Sequence, residues 1–346
     1  MLAGNSVGID YHQQSLQVCV MGSNGSVLGM RKLRNSVPEA MKFAASYGAV
    51  GSAAVEACTG SANFAEELKR TSSWTTRLCH PGYVHRMRHN PDKSDKSDAY
   101  LIADLNRVGY LPEVWLAPEW LRDMRNLMRY RRQNVDQQRS VKLRLRALLR
   151  LNRVSAPEEY GLWTKRGWEW LRTVASTKLP TEAGWVLENH LLELEQIAAR
   201  VRATEKRLFQ ALAEDALTKR LAEEPGVGMV TAAILRLELG TFHRFRRGKE
   251  LSRFCGLTPR NASSGERQAD AGLIKAGSNI LKTALIEVAH VLRRISPRWS
   301  EMSNRMKAAG KKGSVITAAV ANRWLRELHH RMVAFEESRG GQTQAA

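Results

Sequence analysis

The run DKSDKSDAY, Asp92 to Tyr100, sets three aspartates within seven residues of a chain whose formal net charge is +20. Asp95 and Asp98 stand three apart at the start of an expected helix and so share one of its faces. Two further carboxylates stand where strands are expected to end, Asp10 in VGID and Glu56 in AAVEACTG. Strand interiors disfavour carboxylates, and four gathered together repel one another unless a cation lies among them. Oxygen ligands suit Mg2+ or Mn2+, and two such ions roughly 4 Å apart activate and clamp the oxygens of a phosphodiester. The set Asp10, Glu56, Asp95 and Asp98 therefore predicts a metal centre acting on phosphate. A plainer account of the last pair is a helix start, with Asp95 as N-cap and Asp98 near N3, favoured by the helix dipole. It explains either aspartate alone but not the set of four. Asp92 and Asp104 are left as surface or capping residues.

Such a centre needs a sheet that brings Asp10 beside Glu56. SVGID, SLQVCVM and SVLGMRKL read as three successive strands, with GSNGS as the hairpin turn between the second and third. Then follow a helix at VPEAMKFAASYG, a short strand at SAAVEA, a helix at SANFAEELKRT, a strand at TTRLCHP and the helix near Asp95. The order βββ-α-β-α-β-α predicts an α/β domain in which the first and fourth strands lie side by side.

Beyond it the pattern is helical. Between Leu121 and Arg153 stand eleven Arg or Lys against two Asp, and Arg129, Arg131, Arg132, Arg139 and Lys142 are the expected contacts to an anionic partner. The tryptophans of PEEYGLWTKRGWEWLRT are expected to pack into a core. Leu187, Leu191, Leu194, Ala198, Val201, Glu205, Leu208 and Leu212 step 4, 3, 4, 3, 4, 3, 4. This heptad seam has one polar interruption, at Glu205, and predicts a dimer contact; a hairpin within the chain is the alternative.

In the C-terminal third, EEPGVGMVTAAIL sets a tight turn before an apolar helix, where Gly226 and Gly228 could offer backbone N–H groups to phosphate. FCGLTPRNASSGERQADAGLIKAGSNILK reads as a long loop between helices, with Arg260, Arg267 and Lys275 around the pair Ser263 and Ser264. From spacing alone the serines belong to a solvated loop; a serine nucleophile supported by arginines is the sharper alternative. Lys311 and Lys312 add to the basic surface of this third, which carries most of the positive excess.

A chain of 346 residues, 43% of them hydrophobic, has the size of two or three folded domains. The charge excess implies a polyanion, nucleic acid before anionic membrane. No run approaches the roughly 20 consecutive apolar residues of a membrane span, and MLAGNSVGIDYHQQ lacks the basic and apolar regions of a signal peptide. The expected location is the cytoplasm, with no membrane partner. Cys19, Cys58, Cys79 and Cys255 are scattered and are expected to be buried free thiols.

GIDYH, VEACTG, DKSDKSDA, PGVGMVTA, GLTPRNASSG and IKAGSNILK occur in the order and approximate spacing of the DEDD insertion-sequence transposases, which are related to Piv-type DNA invertases and include bridge-RNA-guided recombinases. The chain resembles that family from residue 7 to about residue 325. The resemblance implies a RuvC-like domain of RNase H fold at 1–155, including the basic helix, a coiled-coil oligomerisation segment at 156–222 and a helical transposase domain at 223–335; residues 336–346 are expected to be a disordered tail. It implies that Asp10, Glu56, Asp95 and Asp98 are the metal tetrad and that Ser264, the serine directly before glycine, is the nucleophile. By the same resemblance the substrates are donor and target double-stranded DNA, a structured noncoding guide RNA pairs with both, and strands are exchanged in a homo-oligomer, a dimer or a synaptic tetramer. A nuclease or junction resolvase using the tetrad with water, and a non-catalytic nucleic-acid-binding assembly protein, are the competing expectations.

Overall fold

The computed structural model describes residues 4–87, 94–261, 270–274 and 277–343. The chain divides into two compact units, Met1–Glu119 and Trp120–Ala346.

The first unit contains β1 (Asn5–Tyr11), β2 (Ser15–Met21), β3 (Val27–Arg34), α1 (Val37–Ala45), β4 (Val50–Glu56), α2 (Ser61–Thr71), β5 (Thr75–Cys79), α3 (Pro81–Arg86), α4 (Asp95–Arg107) and β6 (Glu113–Val114). They form one mixed sheet in the order β3-β2-β1-β4-β5-β6. The first and fourth strands are parallel neighbours, with Ile9 paired to Val55, so Asp10 and Glu56 come next in register. Side chains alternate across a strand, which separates two cores. Val7, Ile9, Val18 and Val55 pack on α1 and α2 through Ala40, Phe64 and Leu68. On the opposite face Cys19 and Met21 meet Ala99 and Ala103 of α4, while Ala54 and Cys79 meet Ile102.

The α4 face is unusually close to the sheet. A Cβ on Gly8 would fall 2.2 Å from the Ala99 carbonyl oxygen and 2.4 Å from the Ala103 nitrogen, so only glycine lets the helix settle there. Buried polar groups fix its position. Ser6 Oγ donates to the Ala103 carbonyl (3.0 Å), Asn106 Nδ2 donates to Ser6 Oγ and Ser52 Oγ (both 2.9 Å), and Arg77 donates to Asn106 Oδ1 (3.0 Å).

Among its described residues the second unit is helical apart from one short two-stranded ladder. Its elements are α5 (Glu119–Leu151), α6 (Lys165–Trp170), a π turn (Leu171–Ala175), α7 (Ser176–Lys178), α8 (Thr181–Ala211), α9 (Ala216–Ala222), α10 (Met229–Leu239), α11 (Gly248–Phe254), β7 (Pro259–Asn261), β8 (Asp270–Leu273), α12 (Asn279–Ile295), α13 (Pro297–Ala308) and α14 (Gly313–Thr343). The basic helix α5, which the sequence reading attaches to the first domain, packs within this unit.

The leucine seam of α8 closes within the chain, not between chains as expected. Leu187, Leu191, Leu194 and Ile197 share one core with Val141, Leu145 and Leu149 of α5. The pairs Arg131–Glu205 (2.7 Å), Asn134–Arg200 (2.9 Å) and Gln137–Glu193 (3.2 Å) run in opposite directions along the two helices, so the pair is antiparallel. The cause is an apolar stripe on α5 at four-residue steps, overshadowed in the sequence by the cations around it. Glu205, the interruption of the seam, is answered by Arg131. The tryptophans Trp163, Trp168 and Trp170 pack against the same core.

Two further expectations are corrected, for the Gly/Ser-rich segment and for Cys58. The Gly/Ser-rich segment is flanked by a two-stranded ladder, with Pro259 paired to Leu273 and Asn261 to Asp270, where an uninterrupted loop was expected. Helix α14 runs to Thr343, and within it the Glu336 carboxylate accepts from Thr241 Oγ1 and from the backbone N–H groups of Phe242 and His243 (3.0, 3.1 and 3.2 Å); residues 344–346 lie outside the described residues. Of the four cysteines, Cys58 is exposed because it follows Glu56 beyond the end of β4, whereas Cys19, Cys79 and Cys255 are buried.

Candidate active site

The alternation of β1 carries Ser6, Gly8 and Asp10 onto the α4 face, and that of β4 carries Ser52, Ala54 and Glu56 onto the same face. Helix α4 begins above these strand ends. Its N-cap is Ser94, whose hydroxyl accepts from Ser97 N–H (3.1 Å), and Ser97 Oγ in turn accepts from Ser94 N–H (3.2 Å). Two serines therefore complete the capping box. Asp95 stands at N1 and Asp98 at N4, so neither performs the capping task that a plain helix start would assign to them.

The consequence is a convergence of ligand-bearing side chains. Asp10, His12 and Asp95 each offer one ligand atom, and these atoms lie within 4.8 Å of one another. His12 Nε2 stands 3.3 Å from Asp10 Oδ2 and 3.5 Å from Asp95 Oδ2. The Asp10 side chain is 6% exposed and the Asp95 side chain 43% exposed, so the cluster has a floor and an open side. Glu56, half-buried, follows in register beside Asp10, and Asp98, buried, lies on α4 one turn beyond Asp95. Lys32 Nζ approaches Asp95 Oδ2 from the rim at 4.0 Å.

The local field is negative. Burial pushes the Cys79 thiol up to about 12, with Glu56 and Asp10 adding to the shift. Burial also raises Cys58, and the same two carboxylates oppose its ionisation. An arrangement of carboxylates and one imidazole that disfavours a further negative charge fits a divalent cation. His12 was not singled out in the sequence, although it stands two residues after Asp10 in GIDYH, the spacing that returns a side chain to the same face of an extended strand.

In the second unit, Arg129 and Arg139 of α5 are exposed. Arg132 pairs with Asp136 (2.8 Å), Arg131 is turned to Glu205, and Lys142 lies over the Trp163 ring, 5.0 Å from its centroid. Gly226 takes φ +80° in the turn between α9 and α10, and Gly228 is the exposed N-cap of α10. The turn is clamped on both sides. Asp215 at the start of α9 accepts from Arg236 near the end of α10 (2.8 Å), and the buried Glu224 accepts from Arg220 (3.0 Å) and Arg331 (2.6 Å). Arg260 is exposed on β7, and Lys311 and Lys312 are exposed before α14. Ser263, Ser264, Arg267, Lys275 and Asp92 lie outside the described residues.

No helix among the described residues is long and apolar enough to cross a membrane.

Comparison with known proteins meets this geometry at both ends of the chain. A family model of DEDD type for IS110 elements, described as Transposase, matches residues 7–152, and a second, described as Transposase IS116/IS110/IS902 family, matches residues 218–304. The transposase for insertion sequence element IS1111A of Coxiella burnetii is 27% identical over 323 residues, covering 91% of this chain and 85% of the relative. The transposase for insertion sequence element IS1328 of Yersinia enterocolitica is 24% identical over 328 residues, covering 92% and 94%. A probable family 20 transposase of Pseudomonas aeruginosa is 27% identical over 281 residues, covering 78% and 80%. The carboxylate-bearing sheet falls under the first model and the glycine turn under the second, and the chain belongs to the IS110/IS116 family of insertion-sequence transposases, enzymes that process DNA.

Proposed function

We propose that this transposase is a site-specific recombinase that exchanges DNA strands through Ser264, with Asp10, Glu56, Asp95 and Asp98 gathered around Mg2+ or Mn2+ in a RuvC-like domain. The convergence of Asp10, His12 and Asp95 at the end of the sheet carries the reading. It is supported by the start of α4, where the capping box is made by Ser94 and Ser97 and not by the two aspartates. A divalent cation held there supplies charge neutralisation at the scissile phosphate and lowers the pKa of a hydroxyl beside it.

In the proposed reaction the Ser264 oxygen attacks phosphorus, the bond from phosphorus to one deoxyribose oxygen breaks, and that oxygen leaves as a hydroxyl carrying the proton. The serine phosphodiester keeps the energy of the broken bond. A hydroxyl from the second duplex then attacks it, releasing Ser264 and joining the new strands. Arg260, Arg267 and Lys275 stabilise the charge that builds on the phosphate oxygens. Exposed Arg129, Arg139, Lys311 and Lys312, with backbone N–H groups at Gly226 and Gly228, hold nucleic-acid backbones. A structured guide RNA provides sequence choice, and the reaction proceeds in the cytoplasm within a homo-oligomer whose contacts lie elsewhere than the leucine seam. The organisation proposed is a metal domain over 1–155, a helical segment over 156–222 and a serine domain over 223–335.

The test is Asp95→Asn. It is expected to abolish strand exchange while DNA binding persists; recombination at the wild-type rate would remove the tetrad from the mechanism.

A further inference from the structure

Helix α5 ends with an arginine at a position where the backbone favours glycine. Arg153 has φ 56° and is the one left-handed non-glycine among the described residues. Its N–H donates to the Arg150 carbonyl (3.0 Å), and Val154 N–H donates to the Leu149 carbonyl (2.9 Å). Val154 also packs against the core that contains Leu149. These are the bonds and the apolar contact of a Schellman ending, whose left-handed residue is usually glycine because a Cβ is strained there. Strain that persists against a simple replacement directs attention to what the side chain does.

Arg153 lines an open cleft of about 670 Å3 together with Arg146, Arg150, Ser155 and Tyr160. Arg146 and Arg150 come from the last turns of α5 and Arg153 from its left-handed ending, and Tyr160 comes from the segment that follows. Arg146 lies over the Trp163 ring, 5.7 Å from its centroid, which braces the guanidinium. None of the three arginines is in an ion pair with a described carboxylate. Glu158 and Glu159, in the same segment as Tyr160, are exposed and do not line the cleft.

Guanidinium groups recognise phosphate through paired N–H donors, and an aromatic ring offers a stacking surface to any base. The bases of a duplex are already stacked on one another, so a cleft that combines both groups suits a nucleotide outside a helix. We propose that this cleft takes an unpaired nucleotide of a bound strand, its phosphate against Arg146, Arg150 and Arg153 and its base against Tyr160. The site rests on the reading of the protein as a nucleic-acid recombinase.

Arg153→Gly separates this role from a structural one, because it removes the cation and at the same time gives the helix end its preferred residue. The full-length variant is expected to melt no lower than wild type. In fluorescence anisotropy with a short mixed-sequence oligonucleotide, its affinity for the single strand is expected to fall roughly tenfold, with duplex affinity changed less than about twofold. Tyr160→Ala is expected to weaken the single strand by roughly the same factor. DNA and RNA versions of the oligonucleotide distinguish the source of the nucleotide: selective loss on one identifies it, and equal loss supports the shared chemistry. An Arg153→Gly protein that melts normally and binds single strands like wild type overturns the site, as does a loss confined to duplex. Wild-type protein that binds neither single strands nor duplex overturns the site and the recombinase reading together.

Discussion

His12 Nε2 stands 3.3 Å from Asp10 Oδ2, at the point where β1 leaves the sheet and α4 begins above it. An imidazole among carboxylates changes which cation the cluster favours, since both ions take oxygen ligands but Mn2+ tolerates a nitrogen ligand better than Mg2+ does. His12→Ala is expected to weaken Mn2+ binding roughly tenfold, with a smaller effect on Mg2+. Titration of the full-length protein with each ion measures this directly, independently of recombination. Equal losses for both ions, or no loss for either, would leave His12 outside the coordination sphere.

The approach of α4 to the sheet makes Gly8 and Asn106 sensitive positions. Gly8→Ala inserts a carbon 2.2 Å from the Ala99 carbonyl and is expected to destabilise the fold by at least about 2 kcal/mol. Asn106→Leu leaves Ser6, Ser52 and Arg77 without their shared partner and is expected to cost about 2–3 kcal/mol. Chemical denaturation of both variants checks this. Wild-type midpoints would mean that α4 can shift without penalty.

The antiparallel pairing of α5 and α8 predicts how a charge in the seam acts. Leu194 is 1% exposed within the shared core, so Leu194→Glu is expected to cost about 3 kcal/mol or more. Because the partner helix belongs to the same chain, the fall in melting temperature should be independent of protein concentration. A folded variant whose melting temperature rises with concentration would place the seam between chains.

The candidate metal residues were legible because each rests on a simple period. Asp10 and Glu56 end strands whose alternation and order could be read, and Asp95 and Asp98 keep helical spacing. What the sequence concealed depended on competing partners. Ser94 and Ser97 rather than aspartate cap α4, which only the hydrogen bonds reveal. The stripe Val141, Leu145 and Leu149 was hidden among cations, so the seam of α8 lacked its partner on paper. Strands β7 and β8 are three and four residues long, too short to give a periodic signal.

Acid should expose the clamp on the glycine turn. Burial alone raises the Asp215 carboxyl, but hydrogen bonds from Arg236 and Thr218 and the Arg236 charge outweigh it and hold the group below its ordinary value of 3.8. A carboxylate depressed by folding contributes stability above its unfolded pKa, which is lost as pH falls through the folded value. Asp215→Ala is expected to cost about 2 kcal/mol near neutral pH. The gap from wild type should narrow below about pH 3.8. Denaturation curves at several pH values test this, and a gap that widens in acid would contradict it.

In the proposed reaction a serine carries the broken strand. Wild-type protein incubated with donor and target DNA, guide RNA and Mg2+ should form a protein–DNA adduct that resists SDS and disappears on proteolysis. The adduct is expected from Ser263→Ala and absent from Ser264→Ala. Its absence from every active form of the protein, with DNA still cut, would contradict the covalent mechanism and leave a hydrolytic nuclease in its place.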